Sequence, residues 1–317
     1  MTDAHELTTA DDTFHERTDD PWWTETVWFA WMVPERGLLG YFYPVFRPNL
    51  GVQAGGVLVM DPHGELPWEL PVFDYHWHLQ LAPDTDLRDA TLANGMRIRV
   101  TEPTRSWQLG FENRDLTLSL RVDAATPPLV TRGTPPFNKG HIDQICHVTG
   151  TMVLHGETIP VDCYAMRDRS WGPRQDGRQP QVGYAYATQD PDNAWLVVAM
   201  GKGLDYHVTT GFNIVDGVWS RMCAGTRIVH REAEGKPVSY EIVATDELGR
   251  ERRATGRMVS RQVFTSYPSM FCWDALVEWT GEGFHGWGED QDVWHPRKWR
   301  QFVQEHFRAD ASSQRVT

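Results

Sequence analysis

Along the chain, short runs of aromatic and β-branched residues recur, many alternating with polar ones, and clusters of turn formers separate them. Residues 26–31, 57–60, 74–81, 96–100, 116–122 and 150–154 have the length and composition of strands. Leu116-Thr117-Leu118-Ser119-Leu120-Arg121-Val122 alternates without interruption, as an antiparallel strand with one buried face does. Turn residues at 61–64, 190–193 and 246–249 divide these runs. Only 296–307 has helical spacing, with Trp299, Phe302, Val303, His306 and Phe307 three and four residues apart. The pattern predicts a mostly antiparallel all-β protein with a short C-terminal helix.

Prolines set the expected boundary between domains. Pro127, Pro128, Pro135 and Pro136 fall within one stretch, 126–140, where missing backbone donors favour an extended connector. This places a first β-domain at 21–132 and a second at 133–308, with an acidic disordered tail at 1–20 and a disordered tail at 309–317. The halves echo one another: Trp28-Phe29-Ala30-Trp31 resembles Gly183-Tyr184-Ala185-Tyr186, and 56–61 resembles 211–216, both at an offset of 155 residues. A duplicated β-domain, two sheets or barrels side by side, explains the echo. Eight-stranded barrels can enclose a small apolar ligand, and domain junctions form clefts.

Composition narrows the function. The 317 residues carry 30 Lys+Arg against 43 Asp+Glu, a formal charge of −13, which argues against a nucleic-acid partner. No apolar run reaches the ~18 residues of a transmembrane helix. The acidic, polar N-terminus lacks a secretory pattern, so the expected location is cytoplasmic. Cys146, Cys163, Cys223 and Cys272 lie far apart and read as small buried hydrophobes; no spacing supports structural zinc. Tryptophan is unusual: 15 Trp outnumber 13 Phe and 9 Tyr, which suits thick sheet cores or a greasy ligand.

The densest polar segment is 164–174, Tyr-Ala-Met-Arg-Asp-Arg-Ser-Trp-Gly-Pro-Arg. If the strand beginning at 159–163 continues into it, alternation puts Asp162, Tyr164, Met166 and Asp168 on one face and Arg167 on the other. An acid near a strand end, beside a phenol and a tryptophan, suits catalysis; an Asp–Arg pair closing a turn is the alternative. His141 and Asp143 share a face and could orient an acid or satisfy each other. His76 and His78 also share a face, but lack a third ligand at suitable spacing, so partly buried, metal-free histidines are expected. Phosphate-loop, nucleophile-elbow and zinc-protease motifs are absent from the sequence, Gly201-Lys202-Gly203 is a lone turn, and no cofactor is expected.

The segment Asp168-Arg169-Ser170-Trp171-Gly172-Pro173-Arg174, with 140–144 and 156–161, resembles the AttH-like group of two-domain lipocalin-like proteins, relatives of the carotenoid 1,2-hydratases. The likeness spans most of 21–308, and its sharp core is Asp-x-x-Trp-Gly. It implies two lipocalin-like barrels and an Asp, here Asp168, that protonates an isolated alkene. The chain departs from the hydratases at Met166, where they carry Tyr, and at Arg167 and Arg169, where they carry His. Two adjacent cations would hold Asp168 ionised unless they turn away and the acid is desolvated.

The expected function is cofactor-independent hydratase, dehydratase or cyclase chemistry on an alkene of a hydrophobic isoprenoid-like or steroid-like substrate. Asp168 would be the proton donor, Tyr164 a relay and Trp171 a cavity wall. Met166, Tyr184, Tyr186, Trp195, Tyr206 and His141 complete the expected substrate-facing set, while Arg167 and Arg169 fix the turn or hold a polar end group. A lipid carrier without turnover, and a partner-binding module with two solid cores, remain alternatives. The sequence sets no oligomeric state.

Overall fold

The computed structural model describes residues 6–134, 138–174 and 180–308. It is an antiparallel β protein, 66% strand, with one α-helix among the described residues, α1 (Pro296–His306). The chain forms two compact units, residues 1–64 with 68–175 and residues 65–67 with 176–317.

The first unit is one eleven-stranded sheet. A meander of β1 (Trp23–Val33), β2 (Leu38–Arg47), β3 (Val52–Met60) and β4 (Val72–Gln80) forms one side. The short β5 (Asp89–Thr91), β6 (Arg97–Glu102), β7 (Ser106–Glu112) and β8 (Leu116–Ala124) form the other. Between them lie two long strands, β10 (Asn138–Leu154) and β11 (Glu157–Pro173), joined by the tight turn at His155-Gly156. β11 pairs with β1 and β10 with β8, so this hairpin joins the two sides. The boundary between units therefore falls near residue 175 and not at 132/133. β9 (Leu129–Thr134) branches off β10 beside the main path, so Pro127 and Pro128 just before it cost no central ladder bonds.

The expected disordered tail at 1–20 also requires correction over 6–20. Asp11 and Asp12 are buried within a 3-10 turn, Thr9–Asp12, that is held against the sheet. Residues 1–5, and the tail expected at 309–317, lie outside the described residues.

The second unit is a closed eight-stranded barrel: β12 (Gln181–Asp190), β13 (Asn193–Lys202), β14 (Asp205–Val215), β15 (Val218–Arg231), β16 (Pro237–Asp246), β17 (Glu251–Phe264), β18 (Phe271–Gly281) and β19 (Phe284–Trp294). The sequence echo lands on corresponding elements, 28–31 in β1 with 183–186 in β12 and 56–60 in β3 with 211–215 in β14. Side chains pack the barrel interior. Trp195 meets Trp279 edge-on at 4.9 Å, and Tyr240 lies 5.8 Å from Trp279. Nearby, Arg227 binds Asp290 at 2.5 and 2.9 Å and reaches Asp292 at 3.4 Å; Tyr206 donates to Asp292 at 2.5 Å. All four are buried, so each charge is compensated by partners. The amphipathic α1 packs Phe302 and Val303 with Trp294.

The cysteines are free. Cys146 and Cys272 are buried and Cys163 is half-buried, as small hydrophobes are, whereas Cys223 is exposed.

Candidate functional site

β11 sorts its residues onto two faces. Arg167, Arg169 and Trp171 take one, and Tyr164, Met166, Asp168 and Ser170 take the other.

On the arginine face the guanidinium groups hold the N-terminal segment. Arg169 donates to the carbonyl of Asp11 at 2.7 Å, to the carbonyl of Thr13 and to Glu25 Oε2 at 3.0 Å. Arg167 donates to Gln144 Oε1 at 3.1 Å, and its guanidinium lies 4.0 Å from the centre of the Trp107 ring. His15 bridges Glu25 at 3.0 Å and Asp11 at 3.3 Å while stacking on Trp171 at 3.6 Å. Despite burial, bonds from His15 hold both the Glu25 and Asp11 carboxyls below the usual range; Arg169 contributes at Glu25 and Arg132 at Asp11. Arg167 thus lies opposite Asp168, as alternation predicts, and Arg169 shares that face; Trp171, expected as a cavity wall, lies there too and stacks on His15.

On the other face a small acid cluster forms. Asp143 on β10 stands directly opposite Asp168 on β11, and His141 lies two residues from Asp143. His141 Nε2 is 2.8 Å from Asp143 Oδ1 and 3.7 Å from Asp168 Oδ2. The Asp168 side chain is 25% exposed, yet its Oδ1 is buried and has no hydrogen-bond partner. Burial raises the Asp168 carboxyl to about 6, with the like charge of Asp143 adding and His141, Arg174 and Arg167 opposing. Burial disfavours a charged His141, but the two carboxylates prevail and raise it to about 9. At neutral pH the pair is therefore an imidazolium beside an acid that titrates nearby. The ligand atoms of His141, Asp143 and Asp168 lie within 4.8 Å of one another, close enough to share a divalent ion, which would have to displace the proton on His141.

The aromatic residue paired with Asp168 comes from the strand across, not from Asp168's own segment. Trp28 on β1 is the cross-strand partner of Asp168. Its ring lies 4.2 Å from Tyr41 and 4.7 Å from Tyr43, both on β2, and all three are buried. Thr26 and Ser170 share a 2.7 Å bond in the next row, where Arg174 also donates to Ser170. The signal was present as a Tyr-x-Tyr pair in a strand and a tryptophan in its neighbour, but only pairing register connects them to Asp168.

The remaining expected residues separate. Tyr164 lies four residues from Asp168 along a strand, about 13 Å away, too far for a direct relay; it stacks with His147 at 4.9 Å. Met166 is buried on the Asp168 face. Trp195 and Tyr206 are barrel core of the second unit, and Tyr184 and Tyr186 lie on that barrel's outer face. His76 and His78 sit exposed on β4, with His76 bonded to Asp74 at 2.8 Å, so the expectation of partial burial fails for them. No described helix is long and apolar enough to cross a membrane.

Comparison with known proteins places this geometry in context. A crystal structure described as an AttH from Nitrosomonas europaea superposes with a TM-score of 0.64 at 16% identity, covering 92% of this chain and 97% of that one. The structure of CghA gives 0.53 at 13% identity over 87% and 89% of the two chains. Kievitone hydratase from Nectria haematococca gives 0.50 at 9% identity over 86% and 88%. The AttH-like resemblance thus holds at the level of the fold. No curated protein matches the chain. The family model described as "Domain of unknown function (DUF7064)" matches residues 8–291, and the chain belongs to that family.

Proposed function

We propose that the protein is a cofactor-independent lyase or isomerase that hydrates, dehydrates or cyclises a hydrophobic, isoprenoid-like or steroid-like substrate at an alkene, with Asp168 as proton donor. The observation that carries this reading is the state of Asp168. Its Oδ1 is buried without a partner, its pKa is raised to about 6, and the flanking arginines face away. An acid catalyst working near neutral pH needs that combination. The likeness in fold to a hydratase supports the reaction class.

In the hydration direction, the Asp168 O–H bond breaks and its proton forms a C–H bond with one alkene carbon. The alkene π pair is consumed, leaving a cation on the other carbon and a carboxylate on Asp168. Trp28, Tyr41 and Tyr43 offer π faces to that cation, worth about 0.5–2 kcal/mol each. The His141 imidazolium, held by Asp143, stabilises the new carboxylate. Water then adds its oxygen pair to the cation, and the proton it releases restores Asp168. Dehydration runs these steps backwards; in cyclisation the π pair of a second alkene in the same chain attacks the cation, and the new cation then loses a neighbouring C–H proton that restores Asp168.

The test is native mass spectrometry of the purified protein, organic extraction of what co-purifies, and return of that compound to wild type and Asp168→Asn in deuterated water. Turnover or deuterium uptake by wild type, with binding but no reaction in Asp168→Asn, is the expected result. Equal binding and no reaction in either would establish a carrier and overturn the proposal. Asn should not unfold the protein, because ionised Asp168 itself costs stability above about pH 6.

A further inference from the structure

Six arginines lie between residues 86 and 124 in the first unit, and four of them hold a carboxylate. Arg88 binds Asp86 at 2.7 Å, Arg105 reaches Glu102 at 3.7 Å, Arg114 binds Asp115 at 2.9 Å and Arg121 binds Asp123 at 2.7 Å. The other two, Arg97 and Arg99 on β6, are exposed and have no ion-pair or hydrogen-bond partner among the described residues. Asp89 on β5 stands opposite Arg99 in register but forms no ion pair with it. Both arginines line an open groove of about 630 Å³ on the outer face of β5, β6, β7, β8 and β10. Register aligns Thr91, Arg97, Gly110 and Ser119 in one row, and Arg99, Gln108 and Arg121 in the next. The apolar residues of these strands, Ile98, Leu109, Leu118 and Leu120, are buried on the opposite face. A Cβ at Gly110 would lie 3.0 Å from Arg97 Nε and 3.3 Å from Nη2, so the guanidinium lies low across β7, over the glycine.

Two unpaired cations on a chain of net charge −13 reverse the local field and concentrate anions there. Two residues apart on one strand face, about 7 Å, the planar forks can close on one polyanion from two sides. The Thr91 and Ser119 hydroxyls and the Gln108 amide flank them as donors to the remaining oxygens. With only polar side chains and glycine facing outward in these rows, nothing there grips an acyl or prenyl tail. We propose that this groove is a binding site for a small soluble diphosphate, free or as the exposed end of an organic ester. Thr149 at its edge shares a face of β10 with Asp143 but stands six residues away, about 20 Å, so the groove is separate from the acid cluster. The inference goes beyond alkene chemistry at Asp168 and does not rest on it.

Isothermal titration at low salt, without divalent metal, compares sodium diphosphate, phosphate and succinate, and co-sedimentation with phosphatidic acid vesicles tests a lipid source. Wild type should bind diphosphate about tenfold or more tightly than phosphate or succinate, and should stay in solution when the vesicles are spun down. Arg97→Gln and Arg99→Gln should each weaken diphosphate about tenfold. Arg114→Gln removes the same charge from a paired arginine outside the groove and should leave the affinity unchanged. Gly110→Val, which alters no charge but lifts the Arg97 guanidinium, should weaken diphosphate as well. No diphosphate binding tighter than about 1 mM, equal binding of succinate, or retention on the vesicles overturns the proposal. So does diphosphate affinity that survives the Arg97 and Arg99 substitutions, or that falls equally in Arg114→Gln.

Discussion

Replacing Arg169 with methionine tests how the N-terminal segment is held. The guanidinium is 4% exposed and serves three acceptors: two carbonyls in the N-terminal segment, Asp11 and Thr13, and Glu25. Glu25 is itself fully buried, and would keep only His15 and the Trp23 indole as partners. Removing one member of a buried ion pair costs about 3–5 kcal/mol, because the other charge stays buried and uncompensated. For a unit of this size each kcal/mol lowers Tm by about 2–4 °C, so the transition of the first unit should fall by roughly 6–20 °C. Denaturant unfolding followed by tryptophan emission reads this directly, since Trp171 stacks on His15 within the same clamp. Limited proteolysis should then cut within residues 6–20 at native conditions. A loss below about 1 kcal/mol, with the segment still resistant, would refute the clamp.

Two further predictions follow from neighbouring groups. His141, raised to about 9 against an ordinary 6.5, contributes stability that is complete below pH 6.5 and lost as pH rises through 9, on the order of 3 kcal/mol. In His141→Gln that decline should vanish from denaturant titrations at pH 6 and 9.5, while loss of the cation raises the Asp168 pKa further; an unchanged alkaline decline would contradict the assignment. Gly140→Ala places a Cβ against the Trp171 ring. It should cost on the order of 1–3 kcal/mol and increase proteolysis at the N-terminal segment, whereas a neutral substitution would mean the ring is free to move.

Alternation made the strands legible, because burial on one face of a sheet writes itself into every second residue. Residues 26–31, 57–60 and 116–122 all fall inside observed strands, the helix at 296–306 kept its period, and the 155-residue echo fell on equivalent strands. Asp168 and its face were also readable, since β11 runs unbroken through the segment at 164–173. Long-range pairing was not. The prolines near 127 and 135 read as a domain connector, but local sequence cannot show that β10 and β11 return to join β1 with β8. The acidic N-terminus looked disordered because its compensating cations, Arg132 and Arg169, lie more than a hundred residues away. For the same reason the aromatic lining was expected from Trp171, Tyr184, Tyr186, Trp195 and Tyr206, whereas the ring directly across the sheet from Asp168 is Trp28, packed on Tyr41 and Tyr43. The arginines that seemed to forbid a protonated acid are on the far side of the strand, and their charge is spent on Glu25, Gln144 and the N-terminal carbonyls.

The central claim is that Asp168 is a carboxylic acid able to hold its proton near neutral pH. Infrared difference spectra of wild type minus Asp168→Asn, recorded across pH 3 to 9, isolate its protonated C=O band. The account predicts that this band disappears with a midpoint near 6. A midpoint near 4, the ordinary carboxylate value, would contradict it.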